Sequence, residues 1–154
     1  MEKPLEMDHR LEARYRLSST VLLVLGFVDL LRGVLHTFFA QWAVRTFAKL
    51  DLSVATQDQL TLLAAFGISN LLTGMIYILI GRKAKALSSY VLLAIPCAYA
   101  IGVIGMRTSG VRPHAAFYGK YFLIVYFAVC LGTVAVAIFR DRRKLLSDWG
   151  GSLD

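Results

Sequence analysis

The chain is poor in the residues from which most catalytic and redox centres are built. It has two cysteines, Cys97 and Cys130, both inside apolar runs, with no CxxC pair. A thiol relay of the quinone-linked kind needs such a pair, so thiol redox chemistry has no support, and both cysteines are expected to be small buried apolar residues. Its three histidines are scattered, and no HExxH, phosphate-loop, dinucleotide or metal-spacing motif is present. Hydrolysis and phosphoryl transfer are therefore unsupported. Ligation of a haem by His36 and His114 is disfavoured, because one of the two lies outside the apolar runs and their depths differ by about 10 Å at the helical rise. No internal repeat relates the halves, which removes the inverted-repeat transporter design from a single chain.

Polar character is also scarce. Hydrophobic residues make up 57% of 154 residues, and the mean hydropathy is +0.61. That exceeds the apolar share of about half typical of a soluble domain, and it predicts an integral membrane protein. The net charge of +7 does not indicate nucleic acid, since the basic residues lie in short segments between apolar runs and not on one patch. Positive-inside topology accounts for them better.

The pattern predicts an all-α, four-helix bundle within residues 17–140, with spans at about 18–40, 60–80, 89–106 and 117–139. Residues 1–16 form a charged segment, too acidic and long for a signal n-region, so the first span reads as a retained anchor. Residues 141–154 are a basic tail. Lys and Arg number four before the first span, three after the second and four after the fourth, against five on the other side. Both termini are therefore expected in the cytoplasm, with the protein in the plasma membrane.

Local signals mark the joins. Trp42, Phe47 and Leu50 give residues 41–50 an amphipathic character suited to the membrane interface. Thr56 with Gln59 has the form of a capping box at the start of the second helix, and Gly81 is placed as the residue that ends it. Pro96 stands at mid-depth in the third span, where it can kink the helix.

The anomaly is in the first span, which carries Asp29, Arg32 and His36. Charges at that depth cost several kcal/mol and survive where they face protein, water or a partner. On a helical wheel Asp29 and His36 lie within roughly 20° of one another, and Arg32 about 60° to one side. Gly26 and Gly33 share that face, while Val24, Phe27, Leu31, Val34, Leu35 and Phe38 cover the other. Asp29 and Arg32 are spaced to pair, leaving His36 as the group able to change charge near neutral pH.

The second span repeats the asymmetry, with Phe66, Gly67, Asn70, Thr73, Gly74 and Tyr77 on one face. Asn70 and Thr73 there are able to bond across a helix interface, and Asn70 matches Asp29 in depth. Tyr99 and Tyr126 fall just outside the midplane of the third and fourth spans. These faces are expected to converge on an outer-half pocket that binds a small amphipathic ligand. Asp29, Arg32 and His36 form its candidate catalytic group, and Asn70, Tyr99, Tyr126 and Phe66 its ligand-binding residues. His36 is the candidate acid or base, Arg32 the holder of an anionic or carbonyl oxygen, and Asp29 the group that orients them.

Two other classes stay open. One is a dimeric proton-coupled exporter using Asp29, against which Arg32 one turn away argues, since a paired carboxylate holds its charge. The other is a structural subunit whose polar network only fixes helix register, covered by a partner or a second copy.

The stretch LGFVDLLRGVLHTFF at 25–39, followed by a surface segment and FGISNLLTGMIYILIGRKAKALSS, resembles the DoxX-like small membrane proteins. That resemblance covers about half the chain. It implies four spans, a first helix bearing Gly and often His, a second helix ending in Gly before a basic turn, and either a quinone-linked oxidoreductase subunit or a membrane protein without an assigned activity. Asn70 stands where many members carry an acidic residue, and no cofactor or catalytic residue is carried over.

Overall fold

The computed structural model describes residues 4–48, 56–110 and 119–150. Helix α1 runs Pro4–Phe38, and a short turn of helix, α2, follows at Ala40–Ala43, passing into a π-helical turn at Val44–Ala48. Helix α3 covers Thr56–Lys83, α4 covers Ser88–Thr108 after a 3₁₀ turn at Lys85–Leu87, and α5 covers Gly119–Gly150. Four stretches are long and apolar enough to cross a membrane: Tyr15–Phe38, Thr56–Lys83, Lys85–Thr108 and Gly119–Arg140. Their number is the expected four, and their ends differ from those read from the sequence. The α1 helix extends back to Pro4 through the charged segment, and Leu50, Pro113, His114 and Phe117 lie outside the described residues.

The helices gather around α1, which packs on α3 along one side and on α4 and α5 along the other, while α3 scarcely meets the α4–α5 pair. The α1–α3 contact is much the most extensive. Its cause is a row of glycines seven residues apart, Gly26 and Gly33 on α1 and Gly67, Gly74 and Gly81 on α3. A Cβ on Gly74 would stand 2.7 Å from the Gly26 carbonyl oxygen and 2.8 Å from the Leu30 amide nitrogen, so the two backbones are in direct contact. With lipid on all sides there is no hydrophobic gain in associating two apolar helices, and close backbone approach supplies dispersion contact instead.

Gly81 is part of this row. It was expected to end its helix, but α3 continues to Lys83, and Gly81 packs against Leu23 and the Ser19 carbonyl. The residue that does end a helix by its conformation is Gly110, whose φ of 75° lets the chain leave α4.

The outward faces match expectation in most positions, but Leu35, expected on the lipid side of α1, is half-buried and, like Leu31, stands beside Arg32 and His36. Val24, Phe27, Leu31 and Phe38 on α1, and Ile68, Leu72, Met75 and Leu79 on α3, are exposed. Cys130 is buried as expected, but Cys97 is exposed on the outer side of α4. Toward the N-terminal half of the first span, Tyr15–Phe38, the helices enclose a packed core of Leu22, Leu25, Leu92, Ile95, Tyr126 and Cys130. A hydrogen bond of 2.8 Å from Ser89 Oγ to Ser18 Oγ fastens α4 to α1 at that end. Toward the other end the packing changes. Helix α4 passes unbroken through Pro96, yet every residue from 100 to 110 is exposed, and Gly102 and Gly105 have nothing within 4 Å of where a Cβ would be. Beyond Tyr99, α4 has left the other helices.

Candidate functional site

Where α4 departs, a cavity of about 760 Å³ opens beside the C-terminal half of α1. Val28, Leu31 and Leu35 of α1 line it with Arg32 and His36, and Leu63 and Phe66 of α3 form one flank. Phe122 and Leu123 of α5 face them, Tyr99 of α4 contributes from the packed end, and Val44 and Phe47 of the π-helical turn close the far end. The volume lies within the roughly 300–1,000 Å³ range of small-molecule sites. Leu31, Phe47, Phe66 and Phe122 are all exposed, so the cavity has an apolar rim on the outside of the bundle.

Polar groups are few and lie on one wall. Arg32 stacks on the Phe66 ring, its guanidinium carbon 5.0 Å from the ring centroid. The His36 ring lies 5.9 Å from the same ring, tilted by 31°. Phe66 thereby holds both basic side chains, by cation–π attraction for Arg32 and ring contact for His36. His36 Nδ1 is buried and has no hydrogen-bond partner among the described residues. Such an orphaned buried atom is costly unless a bound molecule or water satisfies it.

Asp29 is buried behind this wall, not in it. Its carboxylate accepts a hydrogen bond of 3.0 Å from the Tyr126 hydroxyl, across the α1–α5 interface. Arg32 approaches the other carboxylate oxygen at 4.0 Å, close enough for attraction but beyond hydrogen-bonding distance. The expected Asp29–Arg32 pair is thus the weaker of two contacts. Tyr126 is the residue that makes burial of Asp29 tolerable.

Of the residues singled out in the sequence, Arg32, His36, Phe66 and Tyr99 line the cavity together, whereas Asp29, Tyr126 and Asn70 do not. Tyr99 packs edge-on against Phe127 at 5.1 Å, a contact that anchors α4 to α5 at the last packed level. Asn70 is buried with its Nδ2 unpartnered among the described residues, so it makes no hydrogen bond to Asp29. The helix register explains this: Gly33 sits beside Leu71, and Thr37 beside Gly67, which sets Asn70 about a turn away from the level of Asp29. Thr73 also bonds within its own helix, to the Ser69 carbonyl at 2.9 Å, and not across the interface. Thr37 Oγ1 makes the reach from α1 to α3, to the Ala64 carbonyl at 3.5 Å.

The segment read from the sequence as amphipathic and interfacial supplies the closing element, and its π-helical turn is what the sequence did not show. Residues 44–48 form a π-helical turn in which Val44 is buried while Trp42 and Phe47 meet edge to face at 5.6 Å. Insertions of this kind recur at functional sites because they redirect side chains. The run of Phe38, Phe39, Trp42 and Phe47, all exposed, was the available signal. Among the described residues no group of three or more His, Cys, Asp or Glu could hold a metal ion.

Compared with protein-family models, curated proteins and solved structures, the chain matches none.

Proposed function

We propose that this is an integral membrane protein that binds a small amphipathic molecule in the cavity between α1, α3 and α5. One observation carries the reading: an apolar cavity of about 760 Å³ whose polar groups, Arg32 and His36, stand together on one wall. The arrangement suits a molecule with one polar end and an apolar body. A protein that used Arg32 and His36 only to fix helix register would hold them in contact with neighbouring helices' polar groups, and Phe66 is what they meet instead.

In this reading Lys and Arg, eleven on the side of the termini against five on the other, set both termini in the cytoplasm of a cell whose plasma membrane holds the protein. The cavity then lies in the outer half of the bilayer. Its exposed rim at Leu31, Phe66 and Phe122 faces acyl chains, so the ligand enters sideways from the membrane. Arg32 and His36 engage the polar end, Asp29 positions Arg32 from behind, and the Val44–Ala48 turn closes the top.

Purifying the protein in two unrelated detergents and identifying the extracted small molecules by mass spectrometry tests this directly. A stoichiometric amphipathic ligand is expected, displaced by the cavity-filling substitution Leu63→Trp. Finding none in either detergent, with no difference between the two proteins, overturns the reading.

A further inference from the structure

Resting on that binding reading, we infer that the ligand's polar end is an oxyanion, a carboxylate or phosphate, carried on an acyl chain. The argument begins with unused donors. Arg32 carries five N–H groups in a planar fork. The Asp29 carboxylate approaches them only to 4.0 Å, beyond hydrogen-bonding distance. The Phe66 ring meets the guanidinium at 5.0 Å by cation–π attraction, which leaves its N–H groups available to an oxygen acceptor. One turn further along α1, His36 Nδ1 is buried without a partner. Arg32 and, in the tautomer that carries its proton on Nδ1, His36 therefore present donors side by side on one wall at i,i+4 spacing.

The rest of the lining decides the sign. Among the described residues, no Asp or Glu lines the cavity. Asp29 sits behind Arg32 with one oxygen already accepting from Tyr126. It therefore offsets part of the charge on Arg32 without occupying the cavity. A cationic head would be repelled by Arg32, and a head with only N–H donors would leave the fork of Arg32 unsatisfied. A head that only accepts, and does so with two or more oxygens, satisfies the fork of Arg32 and, in that tautomer, the Nδ1–H of His36 at once. The apolar walls from Leu31, Leu35, Leu63 and Leu123 then take the chain.

The test uses the full chain, delipidated and reconstituted in phosphatidylcholine nanodiscs, with three probes: oleate, oleyl alcohol and dioleoyl phosphatidate. Oleate and oleyl alcohol share a chain and differ in the head, so the wild-type protein alone answers the question. Oleate or phosphatidate is expected to bind at least about tenfold more tightly than oleyl alcohol, the difference a charge-assisted pair supplies. Arg32→Gln should remove that preference by weakening oleate more than the alcohol, and His36→Gln should reduce it by a smaller factor. A preference for oleate assigns the head to a free acid. A preference for phosphatidate assigns it to a lipid headgroup. Equal binding of oleate and oleyl alcohol by the wild type overturns the oxyanion assignment and leaves the cavity reading standing. Binding of none of the three overturns both.

Discussion

The Tyr126 hydroxyl donates to the Asp29 carboxylate at 3.0 Å, joining α5 to α1 where the packed core gives way to the cavity. This bond makes a buried acid tolerable and braces the helix that carries Arg32 and His36. Interhelical hydrogen bonds in membranes average about 0.6 kcal/mol and reach about 1.7. Tyr126→Phe should fall at or above the upper end, because it leaves a carboxylate without its donor. Asp29→Asn, which keeps an acceptor for the hydroxyl, should cost less. Thermal unfolding in detergent measures both, and a double-mutant cycle with near-zero coupling would contradict the assignment.

Gly74 and Gly132 make opposite predictions. A Cβ at Gly74 meets backbone atoms of α1 at 2.7 and 2.8 Å, which cannot swing away, so Gly74→Ala should force α1 and α3 apart. Overpacking of this kind costs about 1–3 kcal/mol. At Gly132 nothing lies within 4 Å of that position, so Gly132→Ala should be neutral or stabilise the helix by up to about 1 kcal/mol. Unfolding titrations of the two variants provide the comparison, and equal losses would mean that the α1–α3 seam is not where the stability resides.

Phe66 underlies both basic residues of the cavity. Phe66→Leu keeps an apolar flank but removes the ring face that Arg32 covers, a contact worth about 0.5–2 kcal/mol. The variant should remain folded, as judged by helix content and thermal midpoint, and should bind an oleate probe about 2- to 30-fold more weakly. Unchanged affinity would show that the stacking does not position Arg32.

Trp42 is exposed beside Phe47 at the closed end of the cavity, where the chain turns between α1 and α3. In a Trp149→Phe background its emission should be quenched more strongly by lipids brominated near the headgroup than by lipids brominated deep in the chain. The reverse order would place the α2 turn inside the hydrocarbon layer.

Single cysteines report the topology. With Cys97 and Cys130 replaced by serine or alanine, Lys85→Cys should react with an impermeant maleimide only after cells are opened. Lys120→Cys should react on intact cells. Charge asymmetry motivates both expectations, and an inverted pattern would place the cavity in the inner half of the bilayer.

Much of this was legible before any coordinates, and for a physical reason. The four apolar stretches, most of the exposed rows on α1 and α3, and the placing of Arg32 with His36 on one side of α1 follow from helix periodicity in a solvent that admits little else. Even the glycine seam was written in the sequence as seven-residue spacing on two helices, although its meaning depends on both rows meeting. Gly81 shows the limit: a glycine before a basic turn reads as a helix end, and only the approach of α1 reveals it as a contact.

The amino-acid order by itself determined that the chain forms long apolar helices and that α1 must turn its charges toward protein, because the energetic cost of doing otherwise is local to each residue. Which groups meet was decided by tertiary structure alone. The antiparallel register of α1 on α3 carries Phe66 under Arg32 and His36 and sets Asn70 apart from Asp29. The departure of α4 beyond Tyr99 leaves the cavity. Register and departure depend on how whole helix surfaces fit together, and no single residue states them.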